Sequence, residues 1–335
     1  MILDNFDLVQ ILNQYLTANS ECFPVDFSEN VFFIVDALLQ DLKFLDEKKV
    51  EGICRVLVEL MACYGPQMSE ICIKDGITSM TKITKIPKFL PAICCHNDAK
   101  QALLIPFIID LISHENIVIS QEAVQFLGGI FLNDILIEDV LKHDDALDNL
   151  TNILYKQENV RVKHALWAFS NLSCSKTSFC DVFVKSDAFR RIVQLASSHD
   201  LDLQAESVWT LANAVTCGSS RNARDMFLSE EGAIISILLS GLKLKEQRLI
   251  LNVLEALSTL LHTDIEFDFI GHDLAVTSHM NHLEAEQHLH GLQGHPNNEI
   301  YEFSIGLIKK LDELSNVDSK NTDHAMMEIH ADPDS

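Results

Sequence analysis

The sequence predicts an all-α protein whose helices repeat along the chain as a solenoid. Three observations support this fold class. The chain has two tryptophans, Trp167 and Trp209, and each begins the same pattern, Trp-x-x-x-Asn, 42 residues apart. Apolar residues recur at helical spacing in segment after segment, with little of the alternation typical of strands. Glycine (12) and proline (7) are both scarce, which disfavours a protein rich in turns.

From residue 102 the predicted helices group into units of a short, a medium and a long helix. Two helices, 103–113 and 119–131, come before the first complete unit. The complete units comprise 135–142, 146–155 and 160–173, then 179–185, 188–197 and 202–217, and then 224–228, 233–242 and 246–262. A period of about 40 to 47 residues is typical of armadillo and HEAT repeats. Three helices per unit favour the armadillo layout, so we predict a right-handed armadillo-repeat superhelix, which is an α-solenoid.

The chain is predicted to have three parts. Residues 1–30 are predicted to form an amino-terminal helix and a linker. Residues 31–314 are predicted to hold about five to six armadillo repeats, interrupted near 78–100 by an irregular insertion that contains two prolines. Residues 315–335 are polar and have no periodic apolar stripe, which predicts a disordered tail.

Acidic residues dominate the composition. The 49 Asp and Glu against 25 Lys and Arg give a net charge of −24. A duplex-binding protein needs the opposite sign, so nucleic acid is not an expected partner. An acidic surface attracts basic partners, although acidity also serves solubility alone. The nine cysteines form no C-x-x-C pair. With no signal-peptide pattern and no apolar run of about 18 residues, we expect a reduced, intracellular protein without membrane insertion.

The two predicted long helices place their tryptophans away from the apolar stripe. At about 100° per residue, Trp167 and Asn171 fall roughly opposite the apolar side of the first helix. In the second helix Glu206, Trp209 and Asn213 share a face that is also displaced from the stripe. A tryptophan that packs in the core belongs within the stripe. Burial against a neighbouring helix is the alternative, but two tryptophans in the same frame favour a shared exposed surface.

Such a surface would suit an extended basic peptide. Stacked repeats place equivalent positions side by side on the concave face, so two indoles would form a slot. That slot would hold the aliphatic stem of a Lys or Arg while ring faces attract its cationic head. Asn171 and Asn213 would bond the peptide backbone, and Glu206 would pair with a cationic head.

These residues resemble the importin α family, the adaptors that bind nuclear localisation signals. Besides the repeated Trp-x-x-x-Asn, three dispersed motifs occur in the family's order. Glu206-Ser-Val-Trp209-Thr-Leu-Ala-Asn213 with Thr216-Cys-Gly218 resembles the family's E-A-x-W-x-x-x-N and glycine turn, Leu249-Ile-Leu-Asn-Val-Leu-Glu-Ala-Leu257 is similar to the penultimate repeat, and Leu292-Gln-Gly-His295-Pro-Asn-Asn-Glu299-Ile-Tyr301 resembles the terminal repeat. The resemblance covers 102–314 well and 31–77 weakly.

The resemblance implies a nuclear import adaptor-like protein found in cytoplasm and nucleus. By the family's order the two tryptophan motifs belong to its seventh and eighth repeats, which form part of the minor signal-binding site. The implied peptide contacts are Trp167, Ser170, Asn171, Glu206, Trp209 and Asn213. The last two or three repeats would, by the same resemblance, also meet the family's nuclear export receptor.

Departures from the family's pattern support a second hypothesis. Gln125 and Gly129 stand where another Trp and Asn would be expected, and His164 replaces the acid three residues before Trp167. No Lys or Arg precedes Lys43, whereas the family's basic amino-terminal segment binds importin β, so importin β engagement is not expected. The alternative is therefore an armadillo scaffold for protein–protein interaction that has lost signal-peptide binding.

Other candidate sites have weaker support. Seven of the fourteen histidines fall in 262–295, including His279-x-x-His282 and His288-x-His290, but no cysteine accompanies them. Surface histidines are the better interpretation, so we expect no metal site. The sequence has no G-x-S-x-G elbow and no glycine-rich phosphate loop. We therefore expect neither a cofactor nor enzymatic activity.

Overall fold

In a computed structural model of the chain, the regular structure of the described residues is entirely helical. The described residues are 47–64, 68–84, 98–229, 232–269 and 275–330, together with Val31 and Val35. The predicted amino-terminal helix within 1–30 and most of the predicted insertion near 78–100 lie outside them. Contacts divide the chain into two compact units, Met1–Leu172 and Ser173–Ser335.

The helices of the described residues are numbered here in chain order. In the first part of the chain they are α1 Glu47–Tyr64, α2 Glu70–Thr84, α3 Asp98–Ile112, α4 Ile117–Ile130, α5 Asp134–Val140, α6 Asp145–Ile153 and α7 Asn159–Ser173. In the second part they are α8 Thr177–Lys185, α9 Asp187–Leu195, α10 Leu201–Cys217, α11 Ser220–Ser229, α12 Ala233–Gly241, α13 Gln247–Glu266, α14 Val276–His282, α15 Ala285–His290 and α16 Asn298–His330. In α5–α7, α8–α10 and α11–α13, two short helices precede a long one. The predicted order of short and medium holds in α5–α7, whereas α8 and α9 have nine residues each and α11, with ten, is longer than α12, with nine.

The first unit is built from packed helices around an aromatic and aliphatic core. Helix α1 packs on α3, α2 packs on α4, and α3 contacts both α4 and α6. Phe126, Phe131 and Phe169 are fully buried in this core. The sequence predicts an irregular insertion from about residue 78, but α2 continues to Thr84, so residues 78–84 are helical.

The second unit is centred on the long helices α10 and α13, which lie side by side. Helices α11, α12 and α16 also pack against α13. Phe183 and Phe189 meet edge to face with their ring centroids 5.9 Å apart. This is a favoured geometry for aromatic pairs, so it adds directional packing to the burial of both rings.

A buried ion pair connects α11, α13 and α14 within the second unit. Arg224 Nη1 donates to Asp264 Oδ1 over 3.2 Å, and both side chains are almost fully buried. The same carboxylate accepts hydrogen bonds from the backbone N–H groups of Val276 and Thr277, at 2.9 and 2.7 Å. Asp264 therefore also caps the amino terminus of α14. Burial lowers the pKa of Arg224 and the Asp264 carboxylate raises it.

Helix ends differ from the predicted bounds in several places. Helix α3 begins at Asp98 and not at residue 103, and α11 begins at Ser220 and not at residue 224. Helix α13 continues to Glu266, beyond the predicted end at residue 262. Helix α16 runs from Asn298 to His330, so residues 315–330 continue a helix where the sequence predicts a disordered tail. That segment contains neither Gly nor Pro, so no residue in it interrupts the helix.

Candidate functional site

In the first unit, Trp167 and Asn171 both contact the backbone of Gly128 on helix α4. A Cβ atom added to Gly128 would lie 2.6 Å from Trp167 Cζ3, so the benzo edge of the indole rests directly on this glycine. Asn171 Nδ2 donates to the carbonyl oxygen of Gly128 over 2.8 Å. Trp167 and Asn171 are each half-buried. Their spacing of four residues therefore has a structural use, and part of each side chain also remains accessible.

The other implied contact on α7, Ser170, lies in the interior. Its exposed fraction is 4%, whereas Trp167 and Asn171 on either side of it along the helix surface are half-buried. A peptide on the outer face of α7 would therefore meet the indole and the carboxamide before this hydroxyl. Of the six residues implied by the resemblance, Ser170 is the only one that is buried.

The equivalent positions one repeat earlier are closed by packing. Gln125 is 9% exposed on α4. Gly129 lies so close to Thr84 of α2 that an added Cβ would overlap the threonine side chain. Thr81 strengthens this approach, because its Oγ1 donates to the carbonyl oxygen of Glu122 over 3.3 Å. The departures at Gln125 and Gly129 thus coincide with a close helix–helix contact rather than with an open surface.

In the second unit, Glu206, Trp209 and Asn213 follow one another along one face of α10. All three are half-buried, and their spacings of three and four residues keep them in line. The amino terminus of the helix is capped, because Asp200 Oδ1 accepts hydrogen bonds from the backbone N–H groups of Asp202 and Leu203, at 3.0 and 3.1 Å. The sequence-predicted indole, amide and carboxylate are therefore brought together on a single well-capped helix.

Helix α13 contributes two polar residues that sequence reasoning missed. Asn252 Nδ2 donates to Asn213 Oδ1 over 2.7 Å. Glu255 is exposed and lies one turn further along α13. Asn252 is 39 residues after Asn213, so it falls outside the 42-residue frame that identified the tryptophan motifs. The sequence does contain a signal for Glu255, because this acid follows Asn252 by three residues on the next long helix.

Two thiols lie close together where α7 and α10 end. Cys217 is the last residue of α10 and Cys174 directly follows α7; a hydrogen bond joins their sulfur atoms, which are 3.0 Å apart. Cys174 is exposed and Cys217 is half-buried. The hydrogen bond to Cys174 lowers the pKa of Cys217 to about 6, while burial and the charge of Glu255 oppose this shift. The same hydrogen bond raises the pKa of Cys174.

A cavity of about 440 Å³ in the first unit is lined mainly by polar side chains, among them His114, Asn149 and Arg161. Arg161 is 7% exposed. Its guanidinium donates to Glu158 Oε2 over 2.7 Å and to Ser120 Oγ over 3.2 Å. The hydrogen bond from Arg161 lowers the pKa of Glu158. Through these hydrogen bonds the buried arginine connects helix α4 to the start of α7.

The histidines of the carboxy-terminal region have protein contacts of their own. The imidazole of His279 meets the ring of Phe227 edge to face, with centroids 4.9 Å apart. His290 Nε2 lies 3.0 Å from Glu286 Oε1, and this hydrogen bond raises the pKa of His290. Within the described residues, no group of three or more His, Cys, Asp or Glu side chains is placed to hold a metal ion. Over the same residues, no helix combines the length and apolar character needed to cross a membrane.

Comparison of sequences gives one partial likeness. No family model matches the chain. The chain is 27% identical over 148 residues to importin subunit alpha-5 of Arabidopsis thaliana. The match covers 44% of this chain and 28% of that protein, so the chain aligns with little more than a quarter of the relative's length.

Comparison of structures confirms the predicted fold class. A designed armadillo repeat protein, YIII(Dq)4CqI, matches with a TM-score of 0.60 over 76% of this chain and 98% of its own, at 16% identity. A second, YIII(Dq.V1)4CPAF in complex with the peptide (KR)4, matches with a TM-score of 0.58 over 75% and 98%, at 17% identity. The protein is an all-α armadillo-repeat solenoid.

Proposed function

We propose that this armadillo solenoid binds extended, basic peptides, with Glu206, Trp209 and Asn213 of α10 as the principal contacts. The observation that carries the proposal is their placement together on one partly exposed helix face, with Asn252 and the exposed Glu255 alongside on α13. An indole face attracts a cationic head, and two carboxylates neutralise it. The side-chain amides supply donors and acceptors for an extended backbone.

Within the first unit we propose Trp167 and Asn171 of α7 as a separate set of peptide contacts. The Cζ3 and Cε3 edge of the indole contacts Gly128, and part of the ring remains accessible to a Lys or Arg stem. Asn171 uses one N–H on the Gly128 carbonyl and keeps a second N–H and its acceptor oxygen. Ser170 is kept in the proposed set only as a residue that supports the position of its neighbours, because it is buried.

The biological role we propose is that of a nuclear import adaptor-like protein in cytoplasm and nucleus. The partial likeness to a plant importin α subunit and the fold of a designed armadillo protein that holds a (KR)4 peptide support it. Nuclear localisation signals are the basic extended peptides in question, and a nuclear export receptor is the proposed partner of the carboxy-terminal repeats. We do not propose importin β as a partner.

A second candidate is an armadillo scaffold that has lost signal-peptide binding. The contacts of Trp167 and Asn171 with Gly128, and of Asn213 with Asn252, favour it, because each fixes part of a proposed peptide-binding group within its own unit. The two candidates make opposite predictions about affinity for basic peptides.

The test is a titration of the full chain with a fluorescently labelled, Lys/Arg-rich extended peptide, read by anisotropy. We expect saturable binding that Trp209→Ala weakens about tenfold, or about 1.4 kcal/mol, the upper range of one partly desolvated cation–π contact. Glu206→Gln should weaken binding, whereas Asp225→Asn, which removes the same charge at an exposed site on α11, should not. Absence of binding, or affinity unchanged in Trp209→Ala, would favour the scaffold.

A further inference from the structure

The two thiols where α7 and α10 end are placed to form a covalent bond with each other. Cys174 Sγ and Cys217 Sγ are 3.0 Å apart, about 1 Å more than the length of a disulfide bond. Bond formation requires the two sulfur atoms to approach by that distance. We propose that Cys174 and Cys217 form a reversible disulfide by exchange with a small-molecule disulfide, of which glutathione disulfide is the reference substrate.

Exposure distinguishes this pair from the other cysteines whose side chains are described. Cys54, Cys72 and Cys180 are buried, whereas Cys174 is exposed and Cys217 is half-buried. Solvent therefore reaches the pair, and an oxidant does not need the protein to unfold. Cys180, which is in the same unit, donates its S–H to the carbonyl oxygen of Ala214, and burial raises its pKa. It should remain a thiol under the same conditions.

Cys217 is the first attacking sulfur in the proposed exchange, because its contact with Cys174 lowers its pKa. In the structure Cys217 Sγ donates to Cys174 Sγ over 3.0 Å, so the attack begins once that proton has moved to solvent. Cys174 is then the resolving thiol. A reactive thiolate beside a resolving thiol is the usual arrangement of a redox-active pair.

The exchange balances in two steps. The Cys217 thiolate attacks one sulfur of glutathione disulfide, forms a mixed disulfide with one glutathione, and releases the other as a thiolate. That thiolate, or solvent, takes the proton of Cys174. The Cys174 sulfur then attacks Cys217 Sγ, forms the intramolecular bond, and releases the second glutathione. The protein loses two electrons and two protons, which the oxidant gains as two thiols, and excess glutathione reverses the reaction.

The position of the bond gives it a structural consequence. Cys217 is four residues after Asn213 on α10, and Cys174 immediately follows α7. A bond between them would close the chain from 174 to 217 into a loop and fix the carboxyl end of α10. Gly218 allows the chain to turn directly afterwards, since a Cβ there would lie 2.8 Å from the carbonyl oxygen of Ala214. Formation of the bond does not depend on the proposed peptide binding.

The test is incubation of the folded full chain with glutathione disulfide, followed by acid quenching and mass spectrometry. We expect the peptides that contain Cys174 and Cys217 to lose both thiols, retain no glutathione and become linked to each other, with the remaining cysteines scored separately in the same spectrum. Cys174→Ser should instead retain one glutathione on Cys217, because the resolving thiol is missing. Cys180→Ser, the matched control, should react as the native chain does.

Rates provide an independent readout. The native chain should release its first glutathione adduct several-fold faster than Cys174→Ser or Cys217→Ser, because only the native chain has a second thiol beside the adduct. Circular dichroism should show that each variant retains its helices. The proposal is overturned if Cys174 and Cys217 of the native chain both stay thiols or accumulate stable glutathione adducts, and this outcome needs no variant to fold.

Discussion

The contact of Trp167 with Gly128 shows how a single hydrogen atom in place of a side chain positions a candidate binding residue. The indole edge occupies the volume that a Cβ would fill, and Asn171 donates to the carbonyl of the same glycine. Trp167 and Asn171 are therefore oriented by the backbone of α4, and both retain partial exposure. A side chain can therefore pack against a neighbouring helix and still present part of its surface to a ligand.

Gly128→Ala should destabilise the first unit. Overpacking in a close contact costs about 1–3 kcal/mol, and the better helix propensity of Ala offsets up to about 1 kcal/mol of that. We expect a lower midpoint in urea, followed by circular dichroism. Gly306→Ala on α16 is the matched control, because nothing lies within 4 Å of its added Cβ. That variant should be neutral or more stable, and equal losses in both would contradict the packing argument.

Asp264→Asn should be strongly destabilising. The change leaves the Arg224 guanidinium buried without its counter-charge and replaces one acceptor of the α14 cap by a donor. Removing one partner of a buried pair typically costs about 3–5 kcal/mol. Urea unfolding of the full chain measures the loss, with the exposed Asp225→Asn as the control for charge. A loss below about 1 kcal/mol would show that the pair is not important for stability.

The candidate contacts share a repeated frame only in part. The sequence indicates Trp209 and Asn213 because they repeat Trp167 and Asn171 after 42 residues. Glu206 has no such counterpart, since His164 stands 42 residues before it, and it is a candidate because of its helical spacing from Trp209 and the family resemblance. Asn252 was missed because it lies outside that frame. The contact between Gly128 and the indole of Trp167 could not be predicted from the sequence. Such a contact depends on how two helices are placed, and the pattern of one helix does not determine this.

At the scale of the helix, α10 is the element on which the proposed function depends most. It carries three candidate contacts on one face and ends at one thiol of the proposed redox pair. Its first turn is fixed by Asp200, whose carboxylate accepts from two backbone N–H groups. Glu206 lies about one turn beyond Leu203 and Asn213 about three turns beyond it, so the cap is closer to the carboxylate than to the amide.

Removal of the Asp200 cap should cost about 1 kcal/mol. Asp200→Ala deletes the acceptor, whereas Asp200→Asn retains a side-chain oxygen of the same reach. We expect the alanine variant to unfold at a lower urea concentration and the asparagine variant to resemble the native chain. Indistinguishable midpoints for the two variants would show that the cap contributes little.

Helix positions were predicted well where apolar periodicity is strong. The predicted bounds of α4 to α10 agree with the structure to within two residues at each end. The segments 78–84 and 315–330 were predicted less well. The first was assigned to the insertion because two prolines follow it, and the second was predicted to be disordered because it has no apolar stripe. The structure continues a helix through both segments.

At the scale of the molecule, the net charge of −24 should act on any basic ligand before contact is made. Attraction over such distances depends on salt, because the Debye length falls from about 30 Å at 0.01 M to about 3 Å at 1 M ionic strength. The all-α armadillo solenoid was predicted from the repeat length and confirmed. The division into two compact units was not predicted, since periodicity identifies the buried face of a helix but not the helices it meets.

Affinity for a basic peptide should therefore fall at least tenfold between low and high salt. Titrations of the labelled peptide at several salt concentrations measure this, with a peptide in which Lys and Arg are replaced by Gln as the control. We expect a steep dependence for the basic peptide and weak, flat binding for the control. Salt-independent binding of the basic peptide would contradict an electrostatic mode of recognition.

The contact of Trp167 with Gly128 also makes substitutions at these two positions depend on each other. A lineage can gain a side chain at position 128 without penalty only after the ring at position 167 has been lost, so the order of substitutions matters. In a Trp167→Leu background, Gly128→Ala should lose most of its cost, which a double-mutant cycle would measure as coupling. We therefore expect Trp167 and Gly128 to be retained or replaced together.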